Sequence, residues 1–190
     1  MAAKVEGLGL EQAALLMISA AGENPGRPGL ERTPERFAKA FQHITSGYGR
    51  SVEEIVGEGV FPSECEDPVI VAKMKFFSVC EHHLLPFHGE CSIAYVPRGR
   101  IVGLSKIPKI VKLFSQRLQV QEHLTRQIGT ALEEVVSPKG AAVLMSAMHL
   151  CSVMRNHQDY DAPMVTMYRS GVYREDSDLF ESFRRISGVG

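Results

Sequence analysis

Residues 69–96 read VIVAKMKFFSVCEHHLLPFHGECSIAYV, and this stretch decides the fold. Val69, Val71, Met74, Phe76 and Phe77 stand among charged residues, the pattern of a strand that delivers Cys80 at its end. Pro86 to Gly89 carry turn chemistry, and Cys91 to Val96 alternate well enough to be a returning strand, so a hairpin is expected. Between the two strands, Cys80-Glu81-His82-His83 places a thiolate, a carboxylate and two imidazoles within one turn. Cys80 and His83, at C-x-x-H spacing, can close on one metal ion, and Cys151 of His149-Leu150-Cys151 can supply a third ligand. Three protein ligands with an open fourth position are the pattern of a catalytic zinc site, because a structural site closes all four positions with protein. The residues point to metal-assisted hydrolysis.

On the N-terminal side, Ala13, Leu16, Met17 and Ala20 recur at helical spacing until Gly22 and Asn24-Pro25-Gly26 stop the pattern. Thr33-Pro34 reads as an N-cap with proline in the first helical position, and Phe37, Ala40, Phe41 and Ile44 form the apolar face of that helix. A short helix is expected over 52–56. On the C-terminal side, Leu104-Ser105-Lys106 leads into a helix carrying Ile110, Val111 and Phe114. A second helix runs from about Gln119 through Leu124, Ile128 and Leu132 to Val136, where Ser137-Pro138-Lys139-Gly140 breaks it. Residues 141–154 are apolar enough for a long buried strand, 165–173 can pair with it as a fourth, and a last helix spans about 177–186. The order is strand-strand-helix-helix-strand-strand behind N-terminal helices. It argues an α+β fold whose antiparallel sheet is covered by helices on one face. The simplest organisation is an N-terminal helical extension over 1–60 and one main domain over 61–190. An uncovered face and open sheet edges imply a multimer in which sheets join edge to edge.

With 190 residues, 44% hydrophobic and 23% charged, the chain is long enough for a sizeable core. A net charge of -1 and a pI near 6.7 predict no nucleic-acid or membrane affinity for the chain as a whole, so any phosphate binding must come from a local cluster of cations. No stretch approaches the ~20 apolar residues of a membrane span. The start, MAAKVE, lacks the plan of a signal peptide, so a cytoplasmic location is expected. Of the four cysteines, Cys80 and Cys151 sit near histidines and read as metal ligands rather than as a disulfide framework. Cys65 has no such company, and Cys91 reads as a small buried residue.

Strand alternation would put His149 and Cys151 on one face, one binding metal and the other facing substrate. His82 is then left beside the site as an acid or base with an ordinary pKa of about 6.5. Ser105, Lys106 and Lys109 stand at the entry to a helix, where amide groups and cations favour phosphate. With Arg36 and Arg155 they suggest a polyphosphate substrate. Gln121 and Glu122 read either as ordinary helix-surface residues or, for the carboxylate, as an acceptor for two neighbouring N–H groups of a guanine ring. Spacing leaves both open.

The runs SVCEHHLLPF at 78–87, GLSK at 103–106 and RLQVQE at 117–122, with Leu124-Thr125, Gln127-Ile128, His149 and Cys151, closely resemble the GTP cyclohydrolase I family. The likeness extends from Thr33 to the C-terminal helix. It implies the tunnelling fold, with subunits joining their sheets into a barrel, and a homodecamer of two stacked pentamers with sites at subunit boundaries. The implied reaction converts GTP and water to 7,8-dihydroneopterin triphosphate and formate, with zinc as cofactor. The resemblance makes Cys80, His83 and Cys151 the zinc ligands, and His82 and His149 the proton-transfer residues. Glu122 with Gln121 would hold the guanine at the reacting centre, and Ser105 would assist the later sugar steps. Lys106, Arg36 and Arg155 would grip the triphosphate. Lys109 stands where the family usually has arginine, keeping the charge without the bidentate fork. Over 156–168 the chain reads NHQDYDAPMVTMY, with bulky residues where the family carries glycine and a threonine-rich strand. A diverged paralogue that takes another guanine nucleotide or stops at the formamidopyrimidine is an alternative, and a non-catalytic regulatory subunit is a third reading. The product could feed folate, another pterin or a deazapurine.

Overall fold

A computed structural model describes residues 9–155 and 162–188, so positions 156–161 of the bulky run lie outside the described residues. The chain divides into two units, Met1–Thr45 and Ser46–Gly190. In the first, helices α1 (Leu10–Ala20) and α2 (Thr33–Ile44) pack together, with the small residues Ala14 and Ala38 buried. Thr33 is the first residue of α2 rather than its cap, which is Arg32. Pro34 occupies the first turn, where its missing N–H costs nothing.

The second unit continues with α3 (Val52–Val56), β1 (Val60–Pro62), β2 (Val69–Cys80), β3 (Pro86–Val96) and β4 (Arg100–Val102). It then runs through α4 (Lys106–Ser115), β5 (Leu118–Gln119), α5 (Gln121–Val136) and β6 (Gly140–His149). It ends with α6 (Leu150–Val153), β7 (Met164–Arg169), α7 (Val172–Glu175) and α8 (Ser177–Ser187). Five strands form one sheet in the order β5-β2-β3-β6-β7, antiparallel throughout except where β5 runs parallel to the end of β2. The short strands β1 and β4 pair separately. The fold is α+β, and its main elements follow the order that the sequence indicates.

Four details differ from the expectation. The hairpin reverses over 81–85, and residues 86–89 already pair with β2, Phe76 opposite Gly89. Gly89 is in the strand for close approach, not for a turn: a Cβ there would lie 1.9 Å from Ser146 O on β6. The long apolar strand stops at His149, and α6 takes over. β7 ends at Arg169 because Gly171, with φ +47°, turns the chain into α7. Finally, helices cover both faces. Cys91, Ile93, Tyr95, Val143 and Met145 point into a core with α4 and α5. Their neighbours Ala94, Val96, Ala142 and Leu144 pack on the other side against Tyr173, Phe180 and Phe183 of α7 and α8. A strand buried on both faces carries a continuous apolar run, which is why 141–145 shows no alternation in sequence. Among the described residues, no helix is long and apolar enough to cross a membrane.

Gly89→Ala is expected to push β3 and β6 apart and to destabilise the fold by about 1–3 kcal/mol, the usual range for overpacking. A denaturant midpoint unchanged by this substitution would contradict the close approach.

Candidate active site

Cys80 closes β2, and the turn behind it is tied at several points. Cys80 N–H donates to Leu85 O and Leu84 N–H to Cys80 O, both at 2.9 Å, while Glu81 N–H reaches Gln119 O at 3.1 Å. Leu84 takes a left-handed backbone, φ +54°, which the surrounding hydrogen bonds hold in place. These constraints present His83 toward Cys80: Nδ1 lies 3.6 Å from Sγ.

β6 supplies the other half. The register that sets Phe87 opposite His149 carries the end of β6 to the start of β3. Cys151 then falls in the first turn of α6, so it does not share a strand face with His149 as alternation suggests. The helical turn instead aims its sulfur at the hairpin: ligand atoms of Cys80, His83 and Cys151 all lie within 4.8 Å of one another. Both cysteines are buried and His83 is exposed, so the two soft donors line the inside and the imidazole closes the mouth. Among the described residues, these three are the group that could hold a metal ion. Burial pushes the Cys151 thiol up, and the neighbouring Cys80 adds to the effect, while the Arg155 guanidinium opposes it. A metal cation at the cluster would offset that burial and favour the Cys151 thiolate. Arg155 is anchored there, its Nε donating to Cys151 O at 2.7 Å.

The His149 ring lies flat on Phe87, with centroids 4.5 Å apart and planes at 4°. Its Nε2 is 2.8 Å from Gln121 Oε1. Burial lowers the imidazole pKa, and the charge of Glu122, at the start of α5, works the other way. The ring is therefore biased toward its neutral form. Gln121 is fully buried, with its amide nitrogen near Met145 O, Met164 O and Thr166 Oγ1, whereas Glu122 is exposed. His82 stands on the exposed turn, its ring edge-on to His83 at 6.2 Å and its Nε2 3.8 Å from Glu81 Oε1.

The structure thus gathers Cys80, His83, Cys151, His149, Gln121, Glu122, His82 and Arg155. Ser105, Lys106 and Lys109 lie elsewhere, at the start of α4, where Lys106 Nζ donates to Ile55 O at 3.2 Å. The far end of α4 leads to β5 beside Cys80, which leaves Lys106 about 14 Å and Lys109 about 9 Å from that end along the helix. Arg36 is exposed on α2, in the other unit. Sequence reasoning missed Phe87 as the platform under His149 and Thr166 as a partner of Gln121. Neither has a spacing signal, since both depend on strand register.

The profile of a family described as GTP cyclohydrolase I matches residues 10–187. Among curated relatives, GTP cyclohydrolase 1 of Deinococcus radiodurans is 50% identical over 159 residues, 84% of this chain and 74% of that protein. The protein of the same name from Drosophila melanogaster is 46% identical over 90% of this chain and 53% of its own length. That from Pseudoalteromonas translucida is 44% identical, covering 90% and 92%.

Metal uptake should release protons, because burial holds the Cys151 thiol protonated until a metal displaces the proton. Affinity is therefore expected to fall as pH falls, read by metal titration in a pH indicator. An affinity independent of pH from about 6 to about 8 would count against thiolate ligation. Cys151→Ser should lose the bound metal with little change in circular dichroism; full metal content in that variant would exclude Cys151 as a ligand.

Proposed function

The chain belongs to the GTP cyclohydrolase I family, and on that premise we propose that it converts GTP and water to 7,8-dihydroneopterin triphosphate and formate with zinc at Cys80, His83 and Cys151. The observation that carries this reading is the convergence of three metal donors beside a half-buried imidazole, brought together by the end of β2 and the turn from β6 into α6. The donor set suits zinc. A tetrahedral ion with Zn–S of about 2.3 Å and Zn–N of about 2.05 Å separates sulfur and nitrogen by about 3.6 Å. Cys80 Sγ and His83 Nδ1 stand 3.6 Å apart. When bound, zinc supplies Lewis acidity that makes water nucleophilic at neutral pH.

The remaining work falls to the chain's own side chains. The guanine is held with its C8 over the cluster, and the Glu122 carboxylate accepts from two ring N–H groups to fix that pose. His149 and His82 move protons to and from the ring nitrogens as the imidazole ring of the purine opens and formate leaves. His82 stands on the exposed turn, whereas His149 is half-buried against Phe87. Arg155, Lys106, Lys109 and Arg36 bind the triphosphate, and Ser105 serves the later sugar steps. Because Ser105, Lys106 and Lys109 stand in the first turn of α4, at the other end of that helix from β5, a second copy is the natural source of these groups. The reading therefore includes a homodecamer with sites at subunit boundaries, with no nucleic-acid or membrane partner. It also places the protein in the cytoplasm, where the four free cysteines stay reduced.

Zinc-loaded protein incubated with GTP is expected to release formate and to yield a product with the mass of dihydroneopterin triphosphate. Absence of formate overturns the proposal, and a formylated pyrimidine as the sole product favours the diverged paralogue. In sedimentation, a species near the 21.0 kDa of one chain would remove the shared site.

A further inference from the structure

The amide of Gln121 is fully buried and its orientation can be read from its partners. One end faces Met145 O at 3.3 Å, Met164 O at 2.9 Å and Thr166 Oγ1 at 3.0 Å. Two of these are carbonyl oxygens, which only accept, so that end must be the nitrogen. The threonine directions agree. Thr125 Oγ1 donates to Gln121 O at 2.7 Å, which leaves it to accept from Thr166 Oγ1 at 2.6 Å. The Thr166 oxygen is thereby left to accept from the Gln121 amide. The two amide hydrogens are shared among three acceptors, so none is left over.

The other end of the amide is then Oε1, 2.8 Å from His149 Nε2. An amide oxygen cannot donate, so Nε2 must carry the hydrogen. Stacking on Phe87 sets the plane of the ring, and the bond to Gln121 sets its rotation within that plane. From this geometry we infer that Gln121 is a positioning residue: it locks His149 as the Nε2–H tautomer and leaves Nδ1 as the ring nitrogen that exchanges a proton with substrate. Gln121 keeps no side-chain donor for a ligand, because its N–H groups are spent on β6, β7 and Thr166. Guanine recognition at the start of α5 falls to Glu122 instead.

The tautomer stands apart from the identity of the substrate; only its effect on turnover rests on the proposed reaction. Long-range proton–nitrogen NMR of the zinc-loaded protein, with histidine labelled by nitrogen-15, reads it directly. His149 is expected to show a protonated-type Nε2 and an unprotonated-type Nδ1. The opposite assignment overturns the inference whether or not GTP is turned over. In Gln121→Met, close in size but unable to accept, the two tautomers should interconvert and turnover should fall by about 10²-fold, the scale of a lost acid–base group. The KM for GTP should stay within about twofold, since uniform ground-state binding is untouched. A rise in KM with kcat preserved would make Gln121 a substrate ligand and sink the positioning role. Should Gln121→Met fail to fold, Thr166→Val supplies the second arm. It cuts the network beyond the amide and should leave the Nε2–H tautomer in place; a switch to Nδ1–H there would show that the amide direction was wrong.

Discussion

The register between β3 and β6 is the constraint on which the rest of this structure depends. It runs in ten successive pairs from Phe87 opposite His149 to Val96 opposite Gly140. A slip of one residue would turn Val143 and Met145 out of the larger core and drive Ala142 and Leu144 into it. The same slip would lift His149 off Phe87 and carry α6 away from the hairpin. Core and site therefore share one specification, and Gly89 serves both: only a residue without Cβ lets the backbone of β6 approach at Ser146. Cys80 and Cys151, remote in sequence, meet because two strand ends are pinned to the same end of β3.

Charge and polarity are concentrated where that register places them. Gln119, Gln121 and Thr125 are buried around the site, and each is hydrogen-bonded. Burying such groups unpaired would cost about 1–3 kcal/mol apiece, so the network is what makes a polar pocket tolerable under a sheet. The second core contrasts with it. The hydroxyl of Tyr173 is, among the described residues, the buried side-chain oxygen left without a partner, and burial pushes its pKa up to about 12. Elsewhere the buried hydroxyls are paired too: Ser92 accepts from Lys73 N–H, Ser170 accepts from Ala141 N–H, and Ser187 donates to Phe183 O.

What could be read from the sequence follows the range of each signal. Helices α2, α4 and α5 have apolar faces at helical spacing, so local pattern sufficed. Cys80 and His83 lie in one turn, and their chemistry was legible from residue type alone. Cys151 was legible as a donor but not in its setting, since an apolar run gives no sign of where a strand becomes a helix. Pro86 and Gly89 look like turn residues in isolation, and only the neighbouring strand shows that Gly89 is there for space. β5, two residues long, is below any periodicity. Gln121 could not be told from a surface residue at a helix start, because its burial comes from β6 and β7, far away in sequence.

The cations obey a different logic from the donors. Arg155 is held beside Cys151 by a bond to the backbone, which keeps its charge next to the cluster. Lys106 is tied to Ile55 O at 3.2 Å, which at first sight removes it from phosphate binding. That bond to a neutral acceptor contributes about 0.5–1.5 kcal/mol net, or up to about 3 kcal/mol with a charged donor, while a single exposed ion pair is worth about 0–1 kcal/mol net. The carbonyl therefore competes well with any one phosphate oxygen. On the proposed reaction, Lys106 leaves Ile55 O only where several phosphate charges act on it together. With a net charge of only -1 spread over the chain, the overall field offers an anion little attraction, so any selectivity for anions must come from local cations such as Arg155 and Lys106.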